Sequence, residues 1–427
     1  MEHPPPPIAG GYNFRTPANI DRDSTTSPPY RGRFPGLYLN QPLETDPASV
    51  GALFISDQPE EIKDDRLRED GSRGATGVYA RAAVPTARSV RILVDHTNGT
   101  ARRLRLGLGF IPACDGTLAT TSQGVAVNLD SVRAGRVAFE RSRAVLPIPR
   151  REVNANGVTW LLDLTLPPKE TAVAHLMVSS TVAGELVVCV AETDGSLPAR
   201  KAEIDCLPTL HSIVWREEAR RLEKFLDPRT QPARFTRILD SFQHARGLFP
   251  SPDRVARVTY DAPGWSDADE PLRVYSLFES IPGFDPTPGT RDPRNPNATI
   301  ATVDNRGKYG GVEELRVSLR RLPPSCRRMA LLVLNPNGTF GGRHYVTNGR
   351  TDQRETWFLQ GGASQRAGGA SPVGDVQPLL EKGRAALLWR GEVRAGDVIR
   401  MWTEPMANTS VYLWYLLVPL PSSPDGR

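Results

Sequence analysis

The chain has 427 residues, 39% of them hydrophobic, enough to fill the cores of two full domains and too apolar for a globally disordered polymer. Its net charge of +5 arises from 53 basic and 48 acidic residues mixed along the chain, so no clustered basic face marks a nucleic-acid partner. The 37 glycines and 39 prolines interrupt the chain too often for long helices and favour short strands joined by turns.

The opening MEHPPPPIAGGYNF has neither a basic n-region nor an apolar h-region, so no secretory signal is expected, and no apolar run approaches a membrane span. Residues 1–36 are rich in proline and read as an extended arm. Tyr12, Phe14, Tyr30 and Phe34 give that arm anchors an inert linker would not need, which predicts that it lies on a neighbouring subunit.

Residues 37–211 read as a first β-sandwich. Leu53–Ser56 is a strand running into an acidic turn, where Asp57, Glu60, Glu61, Asp64 and Asp65 gather. Oxygen ligands of this kind suit Ca²⁺, but the EF-hand spacing is absent and the run reads as a solvated loop, with no metal expected. GVYARAAV, SVRILVDHT, RRLRLGLGFI, GVAVNL, VTWLLDLTL and TAVAHLMVSS follow, each with period-two or continuous apolar character between turn residues. Ser131–Val145 fits a strand poorly and predicts a short helix capping the sandwich. Residues 212–246 change texture: SIVWREEARRLEKFLD and ARFTRILDSFQHAR carry apolar residues at helical spacing and predict a helical connector. Residues 247–421 read as a second sandwich, with long Gly/Pro-rich loops from Pro282 to Pro296 and Gly361 to Gly374, and 422–427 as a tail. The aromatic strand Val411–Leu420 is expected at its centre.

The stretch from Arg306 to Gly342 shows the design most clearly: alternating Val312, Leu315, Val317 and Leu319, a Pro-Pro break, an apolar run from Met329 to Leu334, then Asn-Gly as a hairpin signal. A weaker copy runs from Arg73 to Thr100. Val90–Val94 aligns with Met329–Val333, Asn98-Gly99-Thr100 with Asn337-Gly338-Thr339, and Trp160–Leu164 with Trp389–Val393. Three blocks in one order predict a tandem duplication.

Chemistry-bearing residues are sparse. Cys114, Cys189, Cys206 and Cys326 show no CxxC and no Cys/His spacing for zinc; Cys189 in LVVCVA reads as core, and Cys114 and Cys206 lie near turns where a bridge is open. His3, His96, His175, His211, His244 and His344 are scattered, with no GxSxG, HExxH or GxxxxGK[ST]. A hydrolase would need His96 or His344 beside a carboxylate and a nucleophile in one cleft. A glycan-binding module would need an exposed platform from Trp265, Trp357, Trp389, Trp402 or Trp414, residues that otherwise pack a core.

The blocks DSFQHARGLFP (Asp240 to Pro250), DNRGKYGG (Asp304 to Gly311), RMALLVLNPNGTFGG and SVYLWYLLVP, with LFISDQPE and VDHTNGT before them, resemble a group of proteins of spore-forming Gram-positive bacteria. The resemblance implies an exported or surface-associated protein and brings no catalytic residues. The Pro-rich arm and the missing signal depart from that pattern. Release of a spore-surface protein by mother-cell lysis would reconcile surface placement with no signal.

Together these features predict an all-β protein. Two related, tandem β-sandwich domains of jelly-roll or immunoglobulin-like type carry a helical connector and an N-terminal arm. The expected role is that of a self-assembling structural subunit of a surface layer, filament or spore structure, coupled by strand or arm exchange. It is read as a homo-oligomer or polymer, with no cofactor, no nucleic acid and no enzymatic activity. A carbohydrate-binding protein with a polysaccharide partner, and a hydrolase with a loop-borne site, are the alternatives.

Overall fold

The computed structural model describes residues 38–40, 44–45, 51–57, 60–66, 68, 70–86, 89–142, 150–210, 227, 229–230, 246–261, 273–276, 281–287, 301–305, 309–322, 326–334, 342–349, 386–405 and 414–421. In chain order these hold β1 (Tyr38–Asn40), β2 (Glu44–Thr45), β3 (Ala52–Ser56), β4 (Glu61–Ile62), β5 (Gly77–Val84), β6 (Ser89–Asn98), β7 (Leu104–Pro112) and β8 (Gly116–Asn128). Helix α1 (Ser131–Ser142), β9 (Arg151–Val153), β10 (Thr159–Leu166), β11 (Thr171–Ser180), β12 (Gly184–Glu192) and helix α2 (Lys201–Asp205) follow. The remainder is β13 (Arg246–Phe249), β14 (Arg254–Asp261), β15 (Arg273–Ser276), β16 (Ile281–Asp285), β17 (Ala301–Asn305), β18 (Glu313–Arg321), β19 (Cys326–Leu334) and β20 (Gly342–Thr347), then β21 (Ala386–Glu392), β22 (Val398–Pro405) and β23 (Trp414–Pro421). The fold is all-β, as the turn-rich composition predicts.

The chain forms two compact units. Of the described residues, the first sandwich holds those within 48–252 and 280–310; the second holds β1, β2 and those within 253–279 and 311–427. These differ from the expected 37–211 and 247–421, because β13, β16 and β17 add to the sheet of the first sandwich: β13 pairs with β3, β16 with β13, and β17 with β16. Local alternation marks a strand's buried face but not its partner, so linear boundaries miss strands that cross over. The expected connector, 212–246, lies outside the described residues apart from Asp227, Arg229, Thr230 and Arg246; the arm with Tyr12, Phe14, Tyr30 and Phe34 lies wholly outside.

In the first sandwich one sheet runs β3-β6-β11-β8 and the facing sheet β5-β12-β7-β10. In the second, β14-β18-β22-β20 faces β15-β23-β19-β21. Numbering the eight strands of each pair in chain order gives one connectivity for both, 1-3-7-5 against 2-8-4-6. In both, strand one lies parallel to strand three, while the other described pairings within these sheets are antiparallel.

This overturns part of the expected repeat alignment. By connectivity β6 corresponds to β18, not to β19, so Val90–Val94 and Met329–Val333 occupy different places; Trp160 and Trp389 do lie on corresponding strands, β10 and β21. The Asn98-Gly99 turn is not a hairpin either: β6 and β7 lie in facing sheets, so this turn carries the chain across the core, while Asn337-Gly338 lies outside the described residues. Asn98 shows how: its Nδ2 donates to the carbonyls of Arg102 and Leu166 at 2.8 Å, and its Oδ1 accepts from Thr100 N and Oγ1.

Phe54, Tyr79, Ile92, Val94, Leu106, Leu108, Phe110, Leu176 and Val188 fill the first core. Val258, Tyr260, Leu315, Val317, Met329, Leu331, Met401, Tyr415 and Leu417 are buried in the second. Each such side chain withdrawn from water contributes about 1.5–3 kcal/mol. β23 lies between β15 and β19, the central place expected for the aromatic strand. Ser131–Ser142 is the predicted helix, but it lies along the outer face of β8 and β11 rather than over an end of the sandwich. Gly124 makes the seat: a Cβ there would strike the Ala138 carbonyl oxygen.

Candidate functional site

Three places in the described residues concentrate polar groups, and the sequence pattern puts each one there. The first is an end of the first sandwich. Val90, Ile92 and Val94 face the core, so His96, two residues on, does too, as does Ser56 after Phe54. Ser56 Oγ and His96 Nε2 lie 2.8 Å apart, both fully buried, with Tyr79 of the facing sheet edge-on to the imidazole at 5.2 Å. Arg246, opposite Ser56 on β13, donates from Nη1 to the carbonyls of Tyr79 (3.0 Å) and Leu210 (3.2 Å).

This is a buried serine–histidine pair. Asp95, adjacent to His96, points to the opposite face of the sheet, beside Asp57, which follows β3. Both carboxyls are buried. Burial and the neighbouring Asp95 hold the Asp57 carboxyl well above the usual carboxylate range. A buried hydroxyl bonded to a buried imidazole satisfies two polar groups inside an apolar core, and that is what this geometry does. Of the other acidic residues at this turn, Glu61 pairs with Lys63 at 2.5 Å and Asp64 with Arg102 at 2.7 Å. No group of three or more His, Cys, Asp or Glu among the described residues is placed to hold a metal.

The second place is inside the second sandwich. His344 on β20 lies opposite Thr403 on β22, and its Nδ1 is 2.9 Å from Thr403 Oγ1. Thr403 Oγ1 is 2.7 Å from the Tyr415 hydroxyl of the facing sheet, so hydroxyls bridge the core. Burial lowers the His344 pKa to about 3, and burial with Glu313 nearby pushes the Tyr415 hydroxyl far up. His344 is therefore a neutral core residue.

The third place is on the outside of the second sandwich. Arg257, Arg316 and Arg400 stand in register on β14, β18 and β22; beside them run Glu314, Trp402 and Tyr345. Glu314 accepts from Arg316 Nη2 at 2.5 Å and Arg400 Nε at 2.7 Å, and these contacts hold its carboxyl ionised against the cost of burial. Of the five expected platform tryptophans, Trp389 is buried core, Trp402 is half-exposed on this face, and Trp265 and Trp357 lie outside the described residues. Trp414 begins β23. Arginines in register are invisible to sequence reading until the strand partners are known.

Cys114 and Cys206 are exposed free thiols, not a bridge, while Cys189 and Cys326 are buried. Burial raises the Cys189 thiol to about 12, in keeping with its expected place in the core. No described helix is long and apolar enough to cross a membrane.

Segment 38–45, directly after the arm, supplies strands to both sheets of the second sandwich. β1 lies parallel to β15, with Leu39 opposite Tyr275; β2 lies antiparallel to β14, with Glu44 opposite Val255. In the first sandwich the same edge, that of strand one, also takes an antiparallel strand from far along the chain, β13.

No family model matches the chain, and no curated protein does. Among solved structures it is similar to the PBSX exported protein XepA, at 9% identity over 84% of this chain and 98% of that one, with a TM-score of 0.16. It is also similar to the CBM22-1–CBM22-2 tandem domain of Paenibacillus barcinonensis Xyn10C, at 9% identity over 76% and 80%, with a TM-score of 0.14. A cupin 2 conserved barrel domain protein from Leptotrichia buccalis gives 7% identity over 79% and 80%, with a TM-score of 0.11. Likenesses at these scores carry no functional argument.

Proposed function

We propose that the protein is a self-assembling structural subunit whose copies are coupled by strand exchange through the segment that ends the N-terminal arm. One observation carries this reading: residues 38–45 hydrogen-bond to an edge of each sheet of a sandwich whose other strands begin two hundred residues later. An edge strand offers unpaired N–H and C=O groups, and a segment tethered by a short linker can satisfy them in its own chain or in a neighbour's. Exchange between identical copies keeps the same contacts, so it is a low-cost route to an oligomer. If each copy gives its segment forward and accepts one from behind, the product is a closed ring or an open filament. The common connectivity supports an origin of the two sandwiches by tandem duplication, with strand addition at the strand-one edge as a shared habit.

The test is the mass in solution of the full chain, of a chain lacking residues 1–36, and of one lacking 1–45. The full chain is expected to form a large oligomer and the 1–45 deletion a monomer. Persistence of the oligomer in the 1–36 deletion assigns the coupling to β1 and β2; its loss assigns it to Tyr12, Phe14, Tyr30 and Phe34. Leu39→Pro, which removes a backbone donor from the added strand, is expected to weaken assembly without shortening the chain. A monomeric full chain at micromolar concentration would sink the proposal.

A further inference from the structure

Four Asn-Gly dipeptides lie in the chain, at Asn98, Asn156, Asn337 and Asn348. This pair carries its own chemistry, because the backbone nitrogen of the glycine can attack the side-chain amide carbon of the asparagine. Glycine has no Cβ to block that approach. A bond forms between the glycine nitrogen and Cγ, the Cγ–Nδ2 bond breaks, and Nδ2 leaves as ammonia with the proton of the glycine nitrogen. Water then opens the cyclic imide at either carbonyl, giving aspartate or an isoaspartyl link that routes the backbone through the old side chain. The step needs an amide able to turn and a glycine nitrogen able to leave its acceptor.

The fold withholds these conditions from two of the four. Asn98 is fully buried, its amide is held at both ends by Arg102, Leu166 and Thr100, and Gly99 N donates to the Ile62 carbonyl at 2.9 Å. Asn348 is buried, with Nδ2 donating to the Glu392 carbonyl at 3.0 Å. Asn337 lies outside the described residues. Asn156 differs on each count. It is exposed, and its side chain makes no hydrogen bond to a described residue. Its φ is 60°, a left-handed conformation that asparagine tolerates but does not prefer. Gly157 N donates to the Asn154 carbonyl at 3.0 Å, a turn bond at the surface that opens locally without disturbing a core.

The same turn fastens α2. Asn156 N donates to the Pro112 carbonyl at 3.4 Å, and the Asn156 carbonyl accepts from the N–H of Lys201, the first residue of α2, at 2.8 Å. Ile204 of α2 packs with Val78, Ile111 and Val187 around the buried Cys189. We propose that Asn156 is a site of spontaneous deamidation and isomerisation in the folded chain, and that isoaspartate there loosens α2. The isoaspartyl link adds a carbon to the backbone between the Asn156 N–H and its carbonyl, so Pro112 and Lys201 are no longer met together. The new carboxylate also enters a turn in which Asp115 already accepts from Ala155 N at 2.7 Å.

The experiment is peptide mapping by mass spectrometry of the full chain aged at neutral pH, folded and in urea. In urea all four asparagines are expected to react at similar rates. In the folded chain Asn156 should react at least about tenfold faster than Asn98 and Asn348, which the fold protects. Gly157→Ala, whose Cβ would meet the Asn154 carbonyl oxygen at 3.2 Å, should fold as before and suppress the reaction at Asn156. Labelling of Cys189 by a thiol reagent should rise in the reacted fraction, whereas the exposed Cys114 and Cys206 label at once in both. Asn156→Asp adds the charge without the extra carbon and should leave Cys189 protected. An Asn156 that stays intact in the folded chain while it reacts in urea overturns the site, as does equally fast reaction at Asn98 or Asn348. Isoaspartate at Asn156 with Cys189 as protected as before overturns the loosening of α2.

Discussion

In the first sandwich the outer face of strands five and seven, β8 and β11, is covered by α1; Phe139 of the helix meets His175 of β11 edge-on at 5.6 Å. In the second sandwich the corresponding strands, β20 and β22, turn Tyr345, Arg400 and Trp402 outward, each partly exposed, and the described residues of that unit include no helix. The buried polar groups differ as well. The first core holds Ser56, His96 and Arg246 on strands one, three and the added β13, whereas the second holds Glu313, His344, Thr403 and Tyr415 on strands three, five, seven and eight. The two sets share only strand three, so the two units place their buried polar groups differently. What sets the two sandwiches apart in structure is the helix on the outer face of β8 and β11, for which the described residues of the second have no counterpart.

The largest test of that distinction is Arg246. A buried guanidinium that ties β13 to the carbonyls of Tyr79 and Leu210 leaves both acceptors without this donor when it is removed. Arg246→Leu is expected to destabilise the first sandwich by about 3 kcal/mol and to leave the second unchanged, as read from separate urea transitions. Loss of both transitions together would show that the two sandwiches do not unfold independently.

The next test is pH. Burial holds His175 at about 4 and His344 at about 3. An unfolded histidine titrates near ~6.5, so between that value and the folded one only the unfolded chain binds the proton, and stability falls as pH drops below about 6.5. The loss levels off near pH 4 for His175 and continues toward 3 for His344. Asp57 has the opposite sign: its raised folded pKa makes the first sandwich lose stability as pH rises above the unfolded value near ~3.9. The second sandwich should therefore be the more acid-labile. His175→Phe, which keeps the aromatic contact with Phe139, should stabilise the first by about 2 kcal/mol at pH 5 and flatten its acid limb. Asp57→Asn should stabilise it at neutral pH. An unchanged slope in His175→Phe would mean that His175 is protonated in the folded chain.

Much of this architecture is readable before any coordinates exist. The alternation in SVRILVDHT marks the core face, and it already places His96 inward and Asp95 outward. The composition excludes long helices, and the poor strand fit of Ser131–Val145 identifies α1. What stays hidden is partnership. Asn98-Gly99 looks like a hairpin turn because both residues suit one, yet the strands it joins belong to opposite sheets. Pairing is set by contacts far apart in sequence, such as Arg246 with Ser56 or Arg257 with Arg316. The arginine row and the added strands therefore appear only once the register is known.

Gly124 tests the cover itself. Val at this position would drive a side chain into the Ala138 carbonyl and the Ser142 backbone. Gly124→Val should cost about 1–3 kcal/mol and lift α1 from β8 and β11, exposing Phe139 to a hydrophobic dye. The change would uncover the face of β8 and β11 that α1 occupies. Retained packing of α1 would mean that the helix can shift along the sheet, and that its cover does not depend on this seat.

The smallest expected effect concerns how α1 is held. Its apolar side is Ala134, Ala138 and Phe139, all buried, while Arg136 and Glu140 pair at 2.9 Å with both side chains half in water. An exposed pair at this spacing contributes only about 0.3 kcal/mol, and less when the cation precedes the anion, since each then sits at the unfavourable end of the helix dipole. Arg136→Ala should thus shift the unfolding midpoint of the first sandwich barely beyond error, and removing Glu140 as well should change nothing further. A large effect would mean that the charged side of α1 is also a packed surface. In that case α1 would carry a second contact surface, and its part in the fold would go beyond covering β8 and β11.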